Sequence, residues 1–307
     1  MAVAGETEAS TAYVTPRSRW SQQRIAPWVF LAPALLFFGV YVIYPIIQSF
    51  QIAFFDWDGF SESTWIGFGN YEELLDDDRF WTAVWNNVLW LFLFLLALPI
   101  GLALALFLNQ TVFGIRLVKS LFFFPFVISQ VVVGLVFAWF YDPANGMLNQ
   151  ALGQFGLGPT ALLSDENTVT FAIIAAGLWP QVAYCMILYL TGLNSVDPEQ
   201  IEAARLDNAR GMKLLWFVVL PQLRPATFIA LVVTMIGALR SFDLVQVMTD
   251  GGPFGQSLVL GLFMYHSALF EYRMGYGAAI ATVLFLIMSV FIAFFLWRMV
   301  RAERRQG

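Results

Sequence analysis

TVTFAIIAAGLWPQVAYCMILYLTGL, residues 168–193, runs directly into NSVDPEQIEAARLDNARGMKLLWFVVLPQLRP, residues 194–225. The first stretch carries no charge over 26 residues. A helix rising about 1.5 Å per residue crosses a hydrocarbon layer about 30 Å thick in roughly 20 of them. The second stretch mixes charges with prolines and cannot remain in hydrocarbon, so the junction at Asn194 predicts a helix leaving a membrane and entering a built surface loop.

Working outward, five more apolar stretches of comparable length lie at residues 27–55, 84–108, 117–141, 225–248 and 278–300. The fold expected is all-α, a polytopic membrane protein with six transmembrane helices. Composition agrees: 59% of the 307 residues are hydrophobic and 12% charged, where soluble chains carry about 25% charged residues. The expected organisation is an N-terminal tail at 1–26, a first transmembrane helix at 27–55, and an external loop at 56–83. A core of five helices at 84–300 follows, with the 194–225 loop inside it and a short tail at 301–307. The first helix is too long for a secretory signal and lacks a small-residue cleavage site, so it reads as a retained anchor.

Basic residues near membrane ends stay in the cytoplasm, and here 13 of the 16 lysines and arginines fall on one side of a six-span layout. They are Arg17, Arg19 and Arg24 in the tail, Arg116 and Lys119, then Arg205, Arg210, Lys213 and Arg224, and finally Arg298, Arg301, Arg304 and Arg305. Only Arg79 and Arg273 fall on the other side, and Arg240 falls within a span. Both termini are therefore expected in the cytoplasm of a multi-pass membrane protein. The first external loop is strongly acidic, but it lacks the ligand spacing of a calcium loop and reads as a solvated surface.

Several chemistries are excluded. Cys185 and His266 are the single cysteine and histidine, which leaves no internal disulfide and no His/Cys metal cluster. Neither Lys119 nor Lys213 follows a glycine, so no phosphate-binding G-K-[ST] loop exists and the chain has no nucleotide-hydrolysing motif of that kind. A net charge of −5 argues against a nucleic-acid partner. No catalytic residues and no metal ligands are expected, and His266 is expected to be a surface or packing residue.

Within the 194–225 loop, Asp197, Pro198 and Glu199 form a helix-start signal: a capping acceptor, a proline in the first turn, and an acid at the positive helix end. Ile201, Ala204 and Leu206 are expected to pack while Glu202 and Arg205 face out. Asn208 and Gly211 tolerate left-handed backbone, so a bend is expected there, followed by a second helix ending at Pro221. By physics alone this unit could grip a partner, or lie as an amphipathic hairpin on the headgroups.

Residues of the spans also fit a polar path. Pro99, Pro125 and Pro180 free backbone carbonyls inside membrane helices. Gln130 and Gln181 are expected deep in their spans, and neither amide belongs against lipid. Thr234, Gly237, Ala238 and Ser241 fall on one small, partly polar helical face, and Gly177 is a further path candidate. Tight helix packing accounts for such a stripe equally well. Trp179 and Tyr184 are aromatic residues on the same span as Gln181. Arg240 and Asp243, three residues apart, are read as an intramembrane pair, structural or lining a gate, unless Arg240 snorkels to the outer headgroups.

The loop resembles the Glu-Ala-Ala loop of bacterial ATP-binding-cassette importers. It reads Glu202, Ala203, Ala204, two residues, then Asp207, Asn208, Ala209, with Leu220 and Pro221 at the expected distance. Asn208 replaces the family's glycine. More of the chain, about residues 27–300, is similar to the maltose-type sugar permeases. The resemblance is carried by IGFGNYEELLDDDRFWTAVWNN at 66–87, by Ser241-Phe242-Asp243, by Thr249, Gly251, Gly252 and Pro253, and by the MGYGAA entry into the last span.

The resemblance implies a type I ABC-importer permease architecture in a bacterial or archaeal cell membrane. It implies ATPase-coupling residues at Glu202, Ala203, Ala204, Asp207, Asn208, Ala209, Gly211 and Pro221. It also implies two ATP-binding-cassette subunits that hold the ATP and Mg, none of it on this chain. A second, related permease subunit and an extracytoplasmic sugar-binding protein complete the assembly, alongside membrane lipid. The cargo implied is a sugar or oligosaccharide; glycerol-phosphate or another polyol fits the same motifs. A self-sufficient secondary transporter is the rival class, although the chain offers no visible repeat and a single acidic residue, Asp243, within its spans.

Overall fold

The computed structural model describes residues 22–110 and 112–303, almost entirely as helix. The expected tail at 1–26 lies mostly outside these residues, as do Arg17, Arg19, Arg304 and Arg305. The chain divides into two units, residues 1–48 and 49–307. In the first, a helix Gln22–Phe38 passes through a π-helical turn at Gly39–Ile43 into the helix Tyr44–Ile52, giving an apolar first span over Ala26–Ile52.

The second unit opens with a two-stranded hairpin, Phe55–Asp56 against Thr64–Trp65, and a short helix Gly69–Asp76. The expected loop at 56–83 is thus an ordered cap as far as Asp77, and its last residues, 78–83, already belong to the next helix. Asn70 secures it from within, its buried amide donating to the Ala53 and Phe55 carbonyls at 2.9 Å each. The second span, Asp78–Leu108, turns at Leu95–Leu96, and Pro99 falls in the first turn of its second piece, where a missing N–H costs nothing.

The fourth span is one helix, Val169–Asn194, and matches the expected stretch. It is the central staff of the fold. Large side chains such as Trp90, Ile173, Leu244, Phe263 and Tyr276 fill the core at one end of it, and Leu98, Met186, Tyr189, Val219 and Leu223 fill the core at the other. Between apolar helices in an apolar solvent, close approach replaces the hydrophobic drive, so small residues mark the crossings. A Cβ built on Gly101 would stand 2.6 Å from the Cys185 Cβ and 2.9 Å from the Met186 nitrogen. One on Gly192 would meet Ala226 at 2.9 Å.

Two stretches expected as single helices are broken. The third comprises Ile115–Val127 and Gln130–Phe140, bent by 99°. The break follows Pro125 by three residues: Ile128 is extended, and Ser129 caps the new helix, its hydroxyl accepting the Val132 N–H at 3.4 Å. Ser129 was thus a start signal lying within an apolar run. The fifth, expected over 225–248, stops at Leu239: its helix Arg224–Leu239 follows the loop arm Met212–Gln222 at a bend of 71° and does not run to 248. A separate short helix, Asp243–Met248, follows. The sixth span begins at Met274 and continues as helix to Glu303. Among the described residues, four helices are long and apolar enough to cross a membrane singly, and six spans result when each bent pair counts as one.

Candidate coupling and translocation sites

In the 194–225 loop, Asp197 caps the helix Pro198–Leu206, its carboxylate accepting the Glu199 N–H at 2.9 Å. That helix closes with a Schellman arrangement: Ala209 N–H bonds the Ala204 carbonyl at 2.9 Å and Asn208 N–H bonds the Arg205 carbonyl at 3.1 Å. Asn208 supplies the left-handed residue the closure requires, with φ +61°. Gly211 follows at φ +55°, ψ −124°, a backbone region suited to glycine alone. The bend is therefore closed by backbone hydrogen bonds, and the exposed Asp207 carboxylate has no side-chain hydrogen bond among the described residues.

The second arm, Met212–Gln222, contains a π-helical turn at Leu215–Val219 and ends one residue beyond Pro221. Gln222 locks the two arms together. Its carbonyl oxygen accepts the Asp197 N–H at 2.9 Å, and its amide donates to Gln200 at 3.3 Å and to the Val218 carbonyl at 3.2 Å. Nothing in the sequence pattern marked Gln222. Ile201, Ala204 and Ala209 are half-buried, while Glu202, Ala203 and Asp207 are exposed. Leu206 does not pack inward as expected: it is 89% exposed, because the helix ends there and its side chain stands beyond the second arm. Glu202 forms no ion pair among the described residues.

Of the path candidates, Gln181 and Thr234 meet directly. The Gln181 amide donates to the Thr234 hydroxyl at 2.7 Å, and Cys185 Sγ lies 3.5 Å from the same hydroxyl. Thr234 and Ala238 are buried between the helices; Gly237 is half-buried, and a Cβ built on it would stand 3.9 Å from the Gln181 side-chain oxygen. Ser241 leaves the expected stripe because the helix has already ended, and its buried hydroxyl has no partner. Gly177 is a packing position: a Cβ there would meet Leu244 at 2.9 Å and Phe94 at 3.1 Å. Gln130 is not deep in a helix but exposed in the first turn after the break. Arg240 and Asp243 are both exposed, lie outside a common helix, and form no ion pair with each other. A cavity of about 270 Å³ opens beside Trp179, between Leu104, Phe122, Pro125 and Leu178.

At the acidic end, the two isolated arginines are both committed. Arg79 pairs with Asp77 at 3.0 Å and with Glu271 at 2.8 Å, and lies 5.0 Å from the Phe263 ring. Arg273 pairs with Glu73 and stacks 4.3 Å from the Tyr276 ring. Burial opposes the charge on Asp77, but hydrogen bonds from the Arg79 side chain and N–H and from the Tyr276 hydroxyl prevail and hold its carboxyl below the usual range. The hydrogen bond to Glu73 raises Arg273 above the ordinary guanidinium value. His266 is partly exposed and bonds Asp250 at 3.0 Å.

Sequence reasoning missed a pair of buried amides in the second span. Asn86 donates to the Gln256 and Leu258 carbonyls at 2.7 and 2.8 Å and accepts from the Thr170 hydroxyl at 3.2 Å. Asn87 accepts the Leu260 N–H at 2.9 Å and donates to the Leu239 carbonyl at a long 3.5 Å. Their adjacency in an otherwise apolar helix was the available signal, since a buried amide in a membrane span needs partners.

Among the described residues, helices long and apolar enough to cross a membrane, together with two bent pairs, define a multi-pass membrane protein. The chain belongs to the family described as binding-protein-dependent transport system inner membrane component, whose model matches residues 97–306. It is 35% identical to a probable ABC transporter permease protein of Pyrococcus horikoshii over 90% of this chain and 96% of that protein. It is 33% identical to the arabinooligosaccharides transport system permease protein AraP of Bacillus subtilis, over 89% of this chain and 88% of AraP. The fold matches, with a TM-score of 0.81, a chain from the crystal structure of a bacterial ABC transporter that imports the acidic polysaccharide alginate. That match covers 91% of this chain and 97% of the other at 23% identity.

Proposed function

We propose that this chain is the membrane-spanning subunit of an ATP-driven importer for a sugar or oligosaccharide. The observation that carries the reading is the 194–225 loop: two short arms locked by Gln222, a Schellman bend at Asn208, and an unpaired Glu202 beside Ala203 on its free surface. Such a unit is too well tied internally to be a slack connection, and its exposed face suits a cleft in a separate ATPase. The carbohydrate assignment rests on the relatedness to AraP, and a polar Gln181–Thr234 pair with Trp179 nearby suits hydroxyl-rich cargo.

In this reading the loop and both termini face the cytoplasm, and the acidic cap faces outward. Two ATP-binding-cassette subunits bind ATP and Mg and clasp Glu202, Ala203, Ala204, Asp207, Asn208, Ala209 and Gly211, with Pro221 ending the second arm. A second, related permease subunit completes the pathway, and a soluble sugar-binding protein delivers cargo to the outer face. Closure of the ATPases moves the loop as a rigid lever and alternates access to the path.

The test is crosslinking. A cysteine at Glu202 in a Cys185→Ala background is expected to capture a nucleotide-hydrolysing subunit in native membranes. Capture of no such subunit, with the protein correctly inserted, removes the coupling role.

A further inference from the structure

Between the fifth and sixth spans, residues 240–259 form an insert with a defined seat. Its short helix Asp243–Met248 buries Leu244, Val245 and Met248. Leu244 rests against Gly177 of the fourth span, and Val247 against Gly134 of the third, where a Cβ would stand 2.9 and 3.1 Å from them respectively. Gly177 is four residues from Gln181 along one helix, so the seat lies about 6 Å, one turn, outward of the Gln181–Thr234 pair.

Both stems of the insert are fastened by the two adjacent asparagines. The helix ending at Leu239 leaves carbonyls without partners, and the helix starting at Leu260 leaves N–H groups without partners. A carboxamide is donor and acceptor at once, and Asn87 serves one group from each broken end, the Leu239 carbonyl and the Leu260 N–H. Asn86 spends both amide hydrogens on the returning stem, at Gln256 and Leu258, and its oxygen is held by Thr170 of the fourth span. Both asparagines are only 3% exposed.

We propose that Asn86 and Asn87 are positioning residues that latch the 240–259 insert as an outer seal over the Gln181–Thr234 pair. Leucine has the asparagine shape but none of its hydrogen bonds; substituting it takes the side-chain partner from the Leu239 and Leu258 carbonyls and the Leu260 N–H, and leaves the Gln256 carbonyl only the Thr170 hydroxyl. The seal then lifts from the glycine notches. The inference rests on the translocation reading only in naming the Gln181–Thr234 pair as part of the path. Its test reads accessibility, not uptake, so failure of the latch and failure of sugar import are separate results.

The test uses the assembled transporter in membrane vesicles without nucleotide, on a Cys185→Ala background with a Gln181→Cys reporter and a membrane-impermeant maleimide added from the outer side. With both asparagines present the reporter reacts slowly. Asn86→Leu/Asn87→Leu is expected to speed labelling at least tenfold, and Gly177→Val, which displaces Leu244 without touching the amides, is expected to do the same. A second reporter, Leu223→Cys, buried at the far end of the core, stays unreactive in both. Should the asparagine variant fail to assemble, the Gly177 variant decides alone. An unchanged Gln181→Cys rate in the variants that assemble overturns the latch, and so does parallel labelling of Leu223→Cys, which signals general loosening.

Discussion

The Gln181 amide and the Thr234 hydroxyl, 2.7 Å apart, form a side-chain hydrogen bond between the fourth and fifth spans, with Cys185 Sγ 3.5 Å from the same oxygen. In an apolar surrounding such a bond joins the helices only as strongly as its alternatives are poor, about 0.6 kcal/mol on average and up to about 2 kcal/mol. A double-mutant cycle with Gln181→Leu and Thr234→Val is expected to give a coupling energy in that range by unfolding in detergent. If the pair also meets cargo, each single variant raises the KM for sugar while maximal uptake stays within about threefold. A coupling energy near zero contradicts the bond.

The crossing of the second and fourth spans has no room for another carbon. Gly101→Val is expected to destabilise the protein by about 1–3 kcal/mol through overpacking against the Cys185 and Met186 backbone. Gly153, which has nothing within 4 Å of its Cβ position, is the control, and Gly153→Ala should leave stability within about 0.5 kcal/mol. Equal melting temperatures for the two variants would contradict the packing.

Asn208 carries the bend by adopting φ +61°. Asn208→Gly keeps that conformation available and is expected to leave uptake intact. Asn208→Val forces a β-branched side chain into left-handed backbone at about 1–2 kcal/mol and should loosen the loop. Proteolytic cleavage between residues 206 and 212 is the readout, faster in the valine variant alone.

The acidic cap is held partly by Asp77, whose carboxyl titrates below its ordinary value in the folded protein because hydrogen bonds from Arg79 and Tyr276 outweigh the burial that opposes them. A depressed carboxylate contributes stability that is fully present above its unfolded pKa, about 3.9, and is lost as pH falls through the folded value. Amide exchange in residues 69–79 is therefore expected to be unaffected by this group between pH 5 and about pH 8, and to accelerate on acidification below about pH 4. Asp77→Asn removes that acid-dependent component, and acid sensitivity unchanged in Asp77→Asn contradicts its source.

Much of this was legible in the residues. Uncharged length announced the spans, and Asp197-Pro198, Asn208 and Gly211 announced the loop, because caps and left-handed turns depend on local chemistry. The breaks at Ile128 and Arg240 were not legible from the average hydropathy of their stretches, and the polar residues at them, Ser129 and Gln130 in one and Arg240, Ser241 and Asp243 in the other, fit a continuous helix with a polar face equally well. Ser129 gave a start signal within an apolar run, and the end at Leu239 depends on Asn87, distant in sequence. For the same reason Gln130, Ser241 and the Arg240–Asp243 pair were misplaced: helical spacing assigns a shared face only while the helix continues. Gly177 looked like part of a path but serves close packing, since a glycine's space is decided by its neighbours. Gln222, Asn86 and Asn87 were not legible because most of their partners are backbone groups and the side chains they meet, Gln200 and Thr170, lie far off in sequence.

The most direct measurement compares ATP hydrolysis with sugar uptake by the reconstituted transporter carrying Glu202→Lys. The expected result is normal insertion and assembly with sugar transported per ATP reduced at least tenfold, because the reversed charge weakens the grip of the motor on the loop. Full transport at an unaltered ATP ratio would contradict the role given to Glu202 and, with it, the lever.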